Sequence, residues 1–205
     1  LNFGPDPVEN INQLTALCGR LLGATCALYN RIQEGLLCSL GRWNTPDDFV
    51  PQDDPTGHIC FDVIRAGQEN ITVIRNLPQT SYFESDKNVA KYGLMTYIGR
   101  VVKLGHEYVG TLCVVYQKDV EPSEDDRNIL NLAAAAIAIE EKRRQALSAS
   151  HDSEQRYRHL FERNLAGVYR TTPEGRVLDC NESFTRILGY DSPEQMQAAT
   201  AVSFY

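Results

Sequence analysis

A single helical stretch, from about Pro122 to about Arg163, limits this chain more than any other feature, because its first half is apolar and its second half charged. The cluster Glu121-Pro122-Ser123-Glu124-Asp125-Asp126 starts it: Ser123 is placed to cap orphan amide groups, and the carboxylates oppose the helix dipole. From Ile129 to Ile139 the apolar residues occupy more than one face, as in a helix that packs on its own domain and also meets a second helix. From Glu140-Glu141-Lys142-Arg143-Arg144 onward the face is solvated. Ile129, Leu132, Ala136, Ile139, Ala146 and Leu147 keep roughly the three-four spacing of a coiled-coil seam, interrupted at Arg143. Two readings stay open: a terminal helix with a solvated tail, and a parallel homodimer whose helix pairs through Ile129, Leu132, Ala136, Ile139 and Leu147. In either case the helix begins in one domain and ends in another.

At 205 residues the chain is long for one domain and short for two complete ones, so a domain plus a fragment is expected. The net charge of -7 argues against nucleic acid or an anionic membrane surface as the main partner. No apolar run approaches the roughly 18 residues of a membrane span, and no signal-peptide pattern opens the chain. A cytoplasmic location with no membrane contact by this segment is therefore expected, although the start at Leu1 has the look of a cut in a longer protein. The six cysteines include no C-x-x-C pair and lie mostly in apolar runs such as Leu112-Cys113-Val114-Val115, as reduced core thiols do. The four histidines form no zinc pattern, and no metal site is expected.

Taken in order, Ile11, Leu14, Leu17, Cys18, Leu21 and Leu22 recur at helical spacing up to Gly23. Cys26 to Ile32 and Leu36 to Arg42 are strands joined by a tight turn at Gln33-Glu34-Gly35. A polar loop from Asn44 to Pro55 leads to a short helix, His58 to Ile64, closed by Ala66-Gly67. Ile71 to Ile74 is a short strand, and Asp86 is placed to cap a helix that stops at Gly93. Met95 to Lys103 and Tyr108 to Tyr116 form a second hairpin. In its second strand Tyr108, Leu112, Val114 and Tyr116 alternate with Val109, Cys113 and Val115, so both faces are apolar and the strand is expected to be central and covered twice. The fold class is α+β: an antiparallel sheet with helices on one face, a capping layer of loops and short helices on the other, and a long C-terminal helix.

This order, together with Tyr97-Ile98-Gly99, Gly105, Gly110-Thr111-Leu112-Cys113-Val114-Val115, Pro122 to Asp126 and Leu130-Asn131-Leu132-Ala133, resembles a GAF domain over about residues 7–142. Residues 143–155 read as a linker helix. Arg156 to Asn164, the hairpin Gly167 to Asn181 around Pro173-Glu174-Gly175, and the helix from Asn181 through Phe184, Ile187 and Leu188 are similar to the first half of a PAS domain, so 156–205 is expected to be a truncated PAS-like domain. Half a PAS domain leaves a strand edge and an apolar face uncovered, and is expected either to be poorly ordered or to bury itself against another copy.

The resemblance implies a sensory or regulatory segment of a signal-transduction protein, such as a sensor histidine kinase of a two-component system. It would bind a small ligand, pair as a homodimer, or both, and pass the signal along the long helix to a C-terminal output domain. A ligand-blind dimerisation and spacer module is the alternative; it predicts a filled core, where the sensor predicts a cavity of a few hundred Å³. By resemblance the ligand lies between sheet and cap, near Phe61, Ile74, Phe83, Tyr92, Tyr97 and Cys113. Each of these equally suits a plain core, and alternation alone leaves open which face of the sheet Cys113 joins. Arg100, inside an apolar strand, either pairs with an anionic ligand or reaches the sheet edge.

The sequence identifies no cofactor. Cyclic nucleotide is disfavoured because Asp86-Lys87-Asn88 does not reproduce the family's binding signature, and bilin because His58 and Cys60 stand in the reverse order with Ile59 between. Heme is disfavoured because His58 and His106 suit cap and turn positions. Nothing matches the cysteine cluster of the methionine-sulfoxide-reducing branch. His151 beside Asp152 looks like a phospho-accepting histidine, but a PAS entry follows it and no glycine-rich nucleotide loop is present. No catalytic residues are expected, and the segment reads as non-enzymatic.

Overall fold

In a computed structural model of the protein, residues 3–190, 192 and 195 are described. Residues 191, 193, 194 and 196–205, the end of the expected PAS-like stretch, lie outside the described residues. Contacts divide the chain into two units, Leu1–Gln145 and Ala146–Tyr205.

In the first unit, helix α1 (Pro7–Leu21) starts where the Asp6 carboxylate accepts the Val8 amide at 2.9 Å, with Pro7 in the first turn, where no amide donor is needed. Strands β1 (Cys26–Gln33) and β2 (Leu36–Trp43) follow, turning at Glu34 and Gly35 with φ of 53° and 80°. Two positive φ angles in a two-residue loop match the twist of the flanking strands. The loop expected from Asn44 to Pro55 contains a two-residue strand, β3 (Gln52–Asp53), paired with β2 through Leu37 and Cys38. Two residues are too few for periodicity to reveal. Next come α2 (Ile59–Ala66), closed by Gly67 in the left-handed region, and β4 (Thr72–Arg75). A 3₁₀ turn at Leu77–Gln79 and helix α3 (Tyr82–Ser85) occupy what reads as loop, before α4 (Lys87–Lys91). Strands β5 (Thr96–Leu104) and β6 (Glu107–Tyr116) turn at Gly105 (φ 60°), and α5 (Glu124–Glu162) runs 39 residues, its last seventeen, from Ala146, counted in the second unit. At its start Ser123 Oγ accepts the Asp126 amide at 3.2 Å while Asp126 accepts the Ser123 amide at 2.8 Å, a reciprocal cap.

The sheet is antiparallel with order β3-β2-β1-β6-β5-β4, which makes β6 and β1 its centre. Its two faces bury different layers. Tyr29, Ile98, Leu112 and Val114 pack with Ile11 and Leu14 of α1 and with Leu130 and Ile137 of α5. Tyr97, Val101, Cys113 and Val115 pack under Ile59, Val63 and Val89 of the cap. Cys113 thus faces the cap. The register slips between Val102 and Lys103, where Val102 pairs with Gly110 and Lys103 with Tyr108. This bulge corrects the simple alternation expected in β6: Tyr108 joins the cap-side cluster and Val109 the helix-side one, because one extra residue reverses parity. On the helix side α1 lies close to β2, and a Cβ at Gly19 would stand 2.2 Å from Trp43 Cε3.

In the second unit, β7 (Tyr169–Thr171) and β8 (Val177–Cys180) form a hairpin, with Gly175 at φ 85° in its turn, followed by α6 (Glu182–Leu188). Asn181, fully buried, organises it. Its Oδ1 accepts the amides of Val168 (3.0 Å) and Phe184 (2.9 Å), and its Nδ2 donates to the carbonyls of Phe161 (2.8 Å), Asn164 and Ala166. One side chain thereby caps α6 and ties the hairpin to the preceding turn.

Candidate functional site

A cavity of about 280 Å³ lies between the sheet and the cap of the first unit. The sheet supplies Asn30, Tyr97, Cys113 and Val115; the start of α2 supplies His58 and Cys60; Asn44, Pro46, Val50 and Gln117, all exposed, stand at the rim. The lining has an apolar body and a polar floor, the usual composition of a small-molecule site.

Asp86 builds the cap. Its Oδ2 accepts the Ile59 amide at 3.1 Å and its Oδ1 the Asn88 amide at 3.1 Å, so one carboxylate caps both α2 and α4. His58 sits between Asp86, 3.3 Å from Nδ1, and Asp53, 3.3 Å from Nε2. Hydrogen bonding to Asp86 raises the His58 pKa against the opposing effect of burial. Lys87 pairs with Asp53 and holds that carboxyl below its usual range.

On the floor, Cys60 Sγ lies 3.6 Å from Cys113 Sγ. The Asn30 amide nitrogen is 3.1 Å from the Cys60 sulfur and 3.9 Å from the Cys113 sulfur, while Ser39 Oγ donates to Asn30 Oδ1 at 2.5 Å. Hydrogen bonds from Cys113, Tyr97 and Asn30 lower the Cys60 pKa despite burial; as the donor of the pair, Cys113 is held well above the ordinary thiol value. Burial alone pushes Cys18 up to about 12.

The reverse face of β1 carries a second polar group. Tyr29 OH donates to Glu141 Oε1 at 3.0 Å and Arg31 to Glu141 Oε2 at 2.7 Å, with Glu141 on α5 wholly buried. Tyr29 and Arg31 flank Asn30, so three successive residues contact α5, the cavity floor and α5 again.

Of the residues singled out from the sequence, Tyr92, Tyr97 and Cys113 line the cavity together. Phe61 is elsewhere on α2 under the Arg65 guanidinium, Phe83 is 44% exposed on α3, and Ile74 packs on the cap core from β4. Arg100 shares its parity on β5 with Ile98 and Val102 and so belongs to the helix-side face. Along α5, Leu132 and Ile139 are 72% and 69% exposed, whereas Ile129 is half-buried and Ala136 packs against the domain's own core. Leu147, in the second unit, is 52% exposed. Asn30, His58, Cys60, Asp86 and Glu141 were not singled out as site residues. The legible hint was a polar residue inside an apolar strand, Asn30 in Cys26-Ala27-Leu28-Tyr29-Asn30, which requires a buried partner.

Solved structures share this arrangement. The GAF domain of a phosphoenolpyruvate-protein phosphotransferase from Coxiella burnetii superposes with a TM-score of 0.61 at 12% identity, covering 71% of this chain and 88% of that one. The first unit has the GAF fold. A domain of a putative two-component sensor histidine kinase from Sinorhizobium meliloti matches at TM-score 0.56 and 11% identity, over 70% of this chain and 96% of that one. Free methionine-R-sulfoxide reductase from Neisseria meningitidis matches at 0.56 and 14%, over 69% and 81%. After the GAF unit, a family model described as PAS domain matches residues 155–203. Among the described residues no helix is long and apolar enough to cross a membrane, and no group of three or more His, Cys, Asp or Glu side chains could hold a metal ion.

Proposed function

We propose that the chain is a non-enzymatic sensory segment of a cytoplasmic signalling protein, in which the GAF unit binds a small molecule and α5 passes its state towards a C-terminal output domain. The cavity of about 280 Å³ carries this reading, because a ligand-blind spacer needs no such space. Its size is close to the lower end of ligand sites, roughly 300–1,000 Å³. The polar Asn30, Ser39 and His58 among the apolar Leu28, Leu37 and Val115 suit a small organic molecule with a hydrogen-bonding group.

Transmission follows from β1. A ligand that reorients Asn30 acts on the segment whose neighbours hold Glu141, so cavity occupancy and the seating of α5 share one strand. Leu132 and Ile139, exposed on α5, are the residues through which two copies would pair. The sensor-kinase neighbour and the PAS match make a kinase-type output the favoured one.

Native mass spectrometry of the freshly purified chain, followed by the same sample denatured, tests the reading. The expected result is a dimer carrying excess mass that vanishes on denaturation. If there is no excess and small-molecule libraries leave the melting temperature unchanged, the spacer reading replaces it, since a bound ligand must stabilise the folded state by mass action.

A further inference from the structure

We propose that Cys60 and Cys113 form a reversible thiol–disulfide site, oxidised through the cavity by a hydroperoxide. The inference goes beyond ligand binding and needs no resident ligand, since the hydroperoxide itself enters the cavity. Its basis is geometric. The two sulfurs are in contact at 3.6 Å, on elements 53 residues apart in the chain, and both line the cavity that opens at Asn44, Pro46 and Gln117. Bond formation needs the pair to close to about 2.05 Å, a movement of about 1.5 Å that side-chain rotation and a small shift of the first turn of α2 can supply.

The surroundings favour oxidation at this pair. A thiol sulfur is a weak acceptor, yet Asn30, only 2% exposed and fixed by Ser39, aims its amide N–H at Cys60 from 3.1 Å. Such a donor stabilises a thiolate more than the neutral thiol. Cys60 also lies in the first turn of α2, where the helix dipole favours a negative charge and the Asp86 carboxylate capping the same turn opposes it. Cys18 and Cys26 lack this help and are held protonated by burial, up to about 12.

The chemistry balances. Cys60 gives up its proton and attacks the terminal oxygen of the hydroperoxide; the O–O bond breaks, the alkoxide leaves as the alcohol with that proton, and Cys60 becomes a sulfenic acid. The Cys113 sulfur then attacks the Cys60 sulfur, the S–O bond breaks, and hydroxide leaves with the Cys113 proton as water. Two thiols supply the two electrons that reduce the peroxide. A dithiol reductant reverses the bond by exchange. The bridge would tie the cap to the sheet and leave Asn30 facing a disulfide, a poorer acceptor than a thiolate.

The full chain is reduced, freed of reductant, exposed to a few equivalents of hydrogen peroxide, quenched in acid and alkylated under denaturing conditions. The expected product has two fewer alkylated thiols and is about 2 Da lighter before alkylation. Non-reducing peptide mapping then links the peptides of Cys60 and Cys113, and dithiothreitol restores both thiols. In Cys113→Ala, Cys60 should stop as a sulfenic acid trapped by dimedone; in Cys60→Ala, Cys113 should stay reduced. Recovery of both thiols from oxidised wild-type chain, a bridge from Cys60 to Cys26 instead, or stepwise oxidation of both to sulfinic acids would each overturn the proposal. The wild-type map decides even if a variant fails to fold.

Discussion

Replacing Glu141 by leucine should destabilise the GAF unit severely, and replacing Arg31 at the same time should restore much of the loss. Glu141 is fully buried, and the Arg31 side chain, 13% exposed, depends on it. Arg31 Nε already lacks a hydrogen-bond partner among the described residues, so Glu141→Leu strands a buried charge with little left to pair it. Breaking a buried pair from one side costs about 3–5 kcal/mol. Tyr29 OH loses its acceptor as well, although rotation can partly offset that. Arg144 also contacts Glu141 at 3.2 Å, but its side chain is 27% exposed and water can take it up. A net loss near 4 kcal/mol corresponds to a fall in melting temperature of roughly 8–16 °C. The chain's single tryptophan, Trp43, lies in this unit, so its fluorescence in a urea titration reports the unit's unfolding without interference from the rest. In Arg31→Met/Glu141→Leu both charges are gone, and at least half of the loss should return. A single variant within about 1 kcal/mol of wild type, or a double variant no more stable than Glu141→Leu, would refute the claim that this pair is a desolvated unit.

Three shorter predictions use the same readout or a sizing measurement. Gly19→Ala, ordinarily stabilising in a helix by about 1 kcal/mol, should instead lose about 1–2 kcal/mol because the new methyl meets the Trp43 ring and Ala27; a gain in stability would show that α1 can shift away. His58 has a raised folded pKa, so its contribution is complete below the unfolded value near 6.5 and is lost as pH rises through the folded value. The urea midpoint of wild type relative to His58→Gln should therefore be level below about pH 6.5 and fall as pH rises above it, and a constant difference would contradict the pairing with Asp86 and Asp53. Leu132→Glu/Ile139→Glu should convert a dimer to a monomer in sedimentation without lowering the urea midpoint by more than about 0.5 kcal/mol equivalent; persistence of the dimer would remove these residues from the interface.

The sequence by itself determined the order of the longer elements and most of their ends; β3, the 3₁₀ turn and α3 were too short to show. Turn and cap chemistry is local: Glu34-Gly35, Gly67, Gly105, Ser123 and Asn181 act on residues within a few positions, and apolar periodicity marks α1 and the first half of α5. The tertiary structure decided the faces and the site. The bulge at Val109 reversed parity in β6, a one-residue pairing choice that neither strand encodes alone. Asn30 meets Cys60 from 30 positions away and Cys113 from 83, and Arg31 meets Glu141 from 110. Phe61 and Phe83, aromatic and therefore plausible pocket walls, turned to other surfaces, while Asp86, read as the cap of one helix, proved to hold two helices and a histidine. Such contacts depend on how the cap settles on the sheet. That is set by the summed packing of many distant side chains, and no local pattern of residues records it.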